Sequence, residues 1–128
     1  MLRHPGGVMK TAFITGAAQG IGLAIARRFA REGYHVGLFD INAERCQALL
    51  SEPDFQNALA GYCDVRDSAS IEGAIATFSQ ATSGRLDVLV NNAGVLTGGE
   101  LMTQSESQIR AMVDVNVTGL TLVSCAAY

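Results

Sequence analysis

Short apolar runs alternate with segments whose apolar positions recur at helical spacing, from one end of the 128 residues to the other. Thr11-Ala12-Phe13-Ile14-Thr15 predicts a first strand. Residues 21–32 follow as a helix with Leu23, Ile25, Ala26, Phe29 and Ala30 inward, stopped by Gly33. The run 34–40 predicts a second strand, Asn42 or a neighbour caps a short helix through Leu50, and residues 51–56 form a loop containing Pro53. Residues 57–63 predict a weaker third strand. Ser68, or alternatively Ser70, starts a helix through about Ala81, and Gly84-Arg85 turns into a fourth strand over 86–90. That strand is nearly continuous in its apolar character, which predicts cover on both faces.

A last helix is expected from about Ser105 to the end. Its stripe of Ile109, Met112, Val113, Val117 and Leu120 predicts an inward face, with Asn116 buried inside it. A buried amide must be satisfied, so Asn116 either holds neighbouring backbone or organises a site. Val115, Gly119, Leu122 and Ala126 make a second apolar face, so the helix is expected to be covered on two sides. One cover is the sheet; the other is a second subunit or further residues of the same one.

Four β–α pairs in this order predict an α/β fold, a parallel sheet with helices on both faces. One domain over residues 9–128 suits the length, since compact domains cluster at roughly 100–150 residues. Met9-Lys10 immediately precedes the first strand, so residues 1–8 read as a disordered extension and Met9 as an alternative start.

Composition narrows the function. A net charge of −3 with no basic face leaves no electrostatic footprint for nucleic acid or an anionic membrane. No apolar stretch is expected to reach the roughly 18 residues of a membrane span, and the first residues have no apolar segment long enough for a signal peptide, which makes the cytoplasm the expected compartment. Cys46, Cys63 and Cys125, with only His4 and His35 beside them, support neither a disulfide framework nor a metal site. They are expected to be reduced and mostly buried.

The chemistry concentrates where the first strand meets the first helix, in Thr15-Gly16-Ala17-Ala18-Gln19-Gly20-Ile21-Gly22. Glycines there let the backbone turn and approach a pyrophosphate, while the helix N-terminus offers unpaired N–H groups. A plain glycine-rich turn is the alternative. Gly16, Gly20 and Gly22 depart from the G-x-G-x-x-G spacing, and no Gly-Lys-Ser/Thr follows to make a triphosphate loop. Asp40 closes the second strand near the spacing at which an acidic side chain reaches the adenosine ribose. A carboxylate there favours NAD over NADP, and neither Gln19 nor Ile41 supplies a cation for the extra phosphate.

This glycine pattern resembles the TGxxxGIG motif of the short-chain dehydrogenase/reductase family, and three further segments extend the resemblance. Asp64-Val65 matches the family's Asp-Val pair, which faces the adenine. Asn91-Asn92-Ala93-Gly94 matches its NNAG motif, whose first Asn steadies the sheet and whose following backbone lines the adenosine side of the cofactor. Val115-Asn116-Val117-Thr118-Gly119 looks like the segment whose Asn belongs to the catalytic tetrad and orders a water in a proton relay.

The resemblance implies a Rossmann-like doubly wound sheet of strand order 3-2-1-4. It also implies NAD as cofactor, held by Gly16, Gln19, Gly20, Ile21, Gly22, Asp40, Ile41, Asp64, Val65, Asn92, Ala93 and Gly94. Asn116 would be the catalytic residue, a small alcohol or carbonyl compound the substrate, and a homo-oligomer through the last helix and the fourth-strand edge the assembly. The family's catalytic Ser and Tyr-x-x-x-Lys have no counterpart, because Lys10 is the only lysine and follows no tyrosine at that spacing. The chain is therefore expected to be the cofactor-binding half of an NAD-dependent oxidoreductase, truncated after its fourth β–α unit and inactive by itself. The alternative is a non-catalytic NAD-binding or interaction module. A methyltransferase of similar fold would not explain Asn91-Asn92-Ala93-Gly94 together with Asn116.

Overall fold

The computed structural model describes residues 9–95 and 100–128; the extension expected over residues 1–8 lies outside them. Four parallel strands, β1 (Thr11–Thr15), β2 (His35–Asp40), β3 (Ala58–Tyr62) and β4 (Val88–Val90), form one sheet of order β3-β2-β1-β4. The helices between them are α1 (Gly20–Arg31), α2 (Ala43–Leu49) and α3 (Ser68–Thr82). After β4 come α4 (Glu106–Val113), a π-helical turn (Asp114–Gly119) and α5 (Leu120–Ala127).

Alternation along β1 and β2 divides the core into two layers. Ile14, Val36 and Leu38 pack with Ala26 of α1, Cys46 and Leu49 of α2, and Phe55. Phe13 and Phe39 point the other way, to Ile71, Ala74 and Phe78 of α3 and to Val115 and Val123. Covering both faces explains why β1 is buried at every position, as an inner strand of a parallel sheet should be. The fold is the α/β parallel sheet that the alternation predicted, in the Rossmann-like doubly wound order that the resemblance implied.

The second layer is built on aromatic rings. Phe13 stacks on Phe39 with centroids 4.4 Å apart, and the Phe78 ring meets Phe13 edge-on at 5.3 Å. Gly37, paired with Phe13 in register, leaves the space those rings fill. A Cβ there would lie 2.7 Å from the Phe78 ring and 2.8 Å from that of Phe39.

Element boundaries hold to within a residue or two, with physically instructive exceptions. Asn42 caps α2 by accepting from the Arg45 N–H at 3.1 Å, as expected. Helix α3 starts at Ser68, as expected, capped by Asp67, which accepts from the Ala69 N–H, while the Ser70 hydroxyl accepts from the Asp64 N–H. Strand β4 is shorter than the apolar run and only half-buried, a correction to the cover expected on both its faces. Leu86 and Asp87 drop out because the Asp87 carboxylate accepts the Thr11 N–H at 2.8 Å, replacing a ladder bond with a side chain. Among the described residues β4 has β1 on one side and no strand on the other.

The last helix departs most. Ser105 and Gln108 form a reciprocal capping box at its start. The π turn then adds residues per turn and rotates the helix faces. Val115, Gly119 and Val123, spaced by four, turn to the core. Ile109, Val113, Val117 and Leu120, expected inward, are instead exposed, and so is Asn116. The helical run Glu106–Ala127 has 22 residues and a mean hydropathy of 1.3 in its most apolar stretch, long and apolar enough by composition to cross a membrane. The sequence reading missed this because Glu106, Arg110 and Asp114 interrupt the run. Its Val115–Val123 face belongs to the domain core.

The ring packing yields a stability prediction. Gly37→Ala should cost about 1–3 kcal/mol through displacement of the Phe39 and Phe78 rings. Urea unfolding measures it, and an unchanged midpoint would contradict the packing.

Candidate functional site

The β1–α1 loop lies at the C-terminal end of the sheet, held from two sides. On the β4 side, the Thr15 hydroxyl accepts from the backbone N–H groups of Asn92 at 3.1 Å and Ala93 at 3.0 Å, and the Asn92 side-chain amide donates to the Gly16 carbonyl at 3.0 Å. On the β2 side, Ala17 N–H donates to the Phe39 carbonyl at 3.2 Å, and Ala18 N–H to the Asp40 carboxylate at 3.1 Å. Gly16 sits at φ +65° and Gly20 at φ +60°, a region that favours glycine. At Gly22 any Cβ would overlap the Gly16 carbonyl oxygen and the Asn92 amide nitrogen. At Gly20 a Cβ would meet nothing within 4 Å, so the loop is open on that side.

That open side is a cleft of about 560 Å³, within the usual range for a small-molecule site. Gly16, Gln19, Gly20 and Ile21 form its floor; Asp40, Ile41, Cys63, Val65 and Arg66 one wall; Asn92, Ala93, Gly94, Val95, Ala111 and Val115 the other. Gln19 caps α1 without a side-chain hydrogen bond, and no acidic residue lies in the first turn. The helix therefore presents uncapped N–H groups and the positive end of its dipole to the cleft. These features suit an anion.

Asp40 accepts from the Ala18 N–H with one oxygen and from the Asn42 N–H at 2.9 Å with the other. An ionised carboxylate has about four acceptor sites, so both oxygens retain capacity toward a ligand. Asp64 is engaged differently. Its oxygens accept from the Arg66 Nε and Nη2 at 3.0 Å each and from the Arg66 N–H at 3.0 Å. The hydrogen bond from the Arg66 side chain is the main cause holding the Asp64 carboxyl below the usual carboxylate range. Burial pushes the Cys63 thiol up to about 11, reinforced by Asp64 and Asp40, so it is neither an acid nor a nucleophile near neutrality. Cys46 is buried and raised likewise to about 11, while Cys125 is exposed; among the described residues no His, Cys, Asp and Glu cluster suits a metal.

The other motif residues support the walls. Asn91 turns away from the cleft, and its Nδ2 donates to the Ser124 hydroxyl of α5 at 3.0 Å while its Oδ1, buried, has no partner. Asn116 is not the buried amide the helical stripe implied; it is exposed on the π turn. Its Oδ1 accepts from the Val95 N–H at 2.8 Å and its Nδ2 donates to the Val95 carbonyl at 2.7 Å. It clamps the strand exit just beyond Gly94. Gly119 lets the π turn press on Val65, since a Cβ there would sit 2.8 Å from the Val65 side chain and carbonyl.

Of the residues singled out in the sequence, Gly16, Gln19, Gly20, Ile21, Asp40, Ile41, Val65, Asn92, Ala93 and Gly94 line the cleft. Gly22, Asp64 and Asn116 stand behind its lining and shape it. Sequence reasoning missed the Thr15 hydroxyl, Arg66, Val95, Ala111 and Val115. Thr15 was legible as a polar end to an apolar strand beside glycine; the rest depend on tertiary packing.

The family model for short chain dehydrogenase matches residues 10–128. The chain is 44% identical over 119 residues to the oxidoreductase UcpA of Salmonella typhimurium, covering 91% of this chain and 44% of that protein. A dehydrogenase/reductase from Sinorhizobium meliloti superposes with a TM-score of 0.85 at 40% identity, over 94% of this chain and 48% of that one. The actinorhodin polyketide ketoreductase, solved with NADPH, superposes at 0.86 with 33% identity, over 93% and 46%. The chain thus spans less than half the length of each of these proteins. With the glycine loop, the Asn92 staple and the sheet order all present in a matching frame, the chain belongs to the short-chain dehydrogenase family.

Proposed function

We propose that residues 9–128 bind NAD as the cofactor half of an oxidoreductase that moves a hydride between an alcohol or carbonyl compound and the nicotinamide. The observation that carries the choice of NAD is Asp40, a carboxylate at the cleft wall beside the loop it also holds. Such a group hydrogen-bonds ribose hydroxyls and repels the additional phosphate of NADP. Ile41, next to it, is apolar, and Arg66 is committed to Asp64. The structural neighbour solved with NADPH sets the competing expectation.

In this reading the uncapped first turn of α1 meets the pyrophosphate, Asp40 the adenosine ribose, and Val65 with Ile41 the base. When bound, NAD supplies the hydride-accepting ring. The protein's own part is to exclude water from the cleft floor and to hold the strand exits still, Asn92 through Gly16 and Asn116 through Val95. No tyrosine in the 128 residues is followed four positions on by lysine, so no proton transfer is assigned to a side chain here. Cofactor binding without turnover is the activity we assign to these residues. A cytoplasmic site of action accords with three free thiols.

A second copy of the chain is the partner we assign to the exposed side of the last helix, where Ile109, Val113, Val117 and Leu120 stand at 40–59% exposure, and to the edge of β4 that pairs with no strand among the described residues.

Calorimetric titration should give tighter binding of NAD than of NADP, and Asp40→Ala should weaken NAD by roughly tenfold, the loss of a charge-assisted hydrogen bond. Tighter binding of NADP, or an unchanged NAD affinity in the variant, would refute the assignment. Light scattering on a size-exclusion column should find dimers or larger species, and a compact monomer at high concentration would count against the interface.

A further inference from the structure

Among the described residues β3 ends the sheet, with β2 on one side and no strand on the other. Its five residues, Ala58-Leu59-Ala60-Gly61-Tyr62, carry no charge and no proline, and the unbroken register from Val36 with Ala58 to Asp40 with Tyr62 leaves no bulge. Charges, prolines and bulges are the usual devices that keep an edge strand from pairing with another chain, and β3 has none of them. Which of its backbone groups face outward follows from the ladder. The Asn57 carbonyl accepts from the Val36 N–H at 3.3 Å and the Cys63 N–H donates to the Asp40 carbonyl at 3.1 Å, so the odd-numbered residues turn to β2. Ala58, Ala60 and Tyr62 therefore point their N–H and C=O groups away from the sheet, as alternate residues of a parallel strand must.

A side chain of α2 reaches the middle of that edge. Gln47 Nε2 donates to the Ala60 carbonyl at 2.9 Å. On the same helix Cys46 and Leu49 are buried in the core, which fixes the helix and with it the reach of Gln47. The other flank, between β3 and α3, is open: a groove of about 490 Å³ runs past Gly61, Tyr62, Gly73 and Thr77, and a Cβ on Gly73 would meet nothing within 4 Å. We propose that the Gln47–Ala60 hydrogen bond is a guard that stops β3 from pairing with β3 of a second copy of the chain. The second copy is the partner because this edge is its own complement. Turned about a two-fold axis at Ala60, the strands run antiparallel with Ala60 opposite Ala60 and Ala58 opposite Tyr62, and within them no like charges face each other. The N–H and C=O of Ala60 are then the groups the two copies exchange at the centre, and in each copy Gln47 already occupies the carbonyl. This edge lies at the opposite end of the sheet from β4, so the pairing it prevents is distinct from the contact assigned to the last helix.

The test uses the 128-residue chain and two substitutions. Gln47→Ala removes the donor, and Gln47→Lys restores one. Light scattering at matched concentration should give the alanine variant about twice the mean mass of the unaltered chain, and the lysine variant the mass of the unaltered chain. Amide hydrogen exchange then locates the contact. In the alanine variant the N–H groups of Ala58, Ala60 and Tyr62 should exchange roughly tenfold more slowly than in the unaltered chain. Thermal melting verifies the fold of each variant, and Gln47→Leu takes the place of alanine if that variant does not fold. An unchanged mass in the alanine variant would overturn the proposal. So would a raised mass with those three amides exchanging as before, which would place the contact elsewhere. Equal association of the lysine variant would do the same, because a donor at position 47 would then not be what closes the edge.

Discussion

Everything at the cleft depends on a close approach that only glycine permits. Where α1 leaves the loop, Gly22 passes so near the Gly16 carbonyl and the Asn92 amide that no side chain fits between them. The Asn92 amide occupies that junction and donates to the Gly16 carbonyl, joining the β1 exit to the β4 exit. Because Asn92 and Ala93 also donate to Thr15, the two strand ends move as one unit. The tight turn in turn brings the uncapped start of α1 to the cleft floor, where its N–H groups and dipole confront whatever binds.

The two-layered core transmits this arrangement outward. Phe13 and Phe39, packed with Phe78, anchor β1 and β2 one residue or so before each strand reaches the site. Val65 belongs both to that layer and to the cleft wall, and Gly119 lets the π turn lie directly against it. The last helix is therefore part of the site despite its exposed flank. Its distortion also places Asn116 against the Val95 backbone, and two hydrogen bonds there hold the segment after Gly94.

The fold was largely legible because its determinants are local and periodic. Apolar runs bounded by Gly33, Gly84 and the glycine loop marked the strands, and parallel order followed from their alternation with helices. Most of the cleft was legible too, since Gly16, Gly20, Asp40 and Asn92 are of residue types that the geometry demands at strand ends. Three features were not. The π turn carries no strong sequence signal, and the last helix buries its Val115, Gly119 and Val123 face while Ile109 and Val113 are exposed. The Asp87 carboxylate takes the place of a ladder bond and shortens β4. Arg66 reads as an ordinary surface cation until Asp64 is seen to hold its plane and the cleft to open beside it.

In the proposed cofactor reading, distinct walls of one cleft take distinct parts of a dinucleotide, and amide NMR during an NAD titration tests this most directly. Resonances of residues 16–22, 40–41, 63–66 and 92–95 should shift together with one dissociation constant, while those along α2 and the exposed face of α4 stay in place. Shifts confined to the last helix, or spread over the domain without the glycine loop, would contradict it.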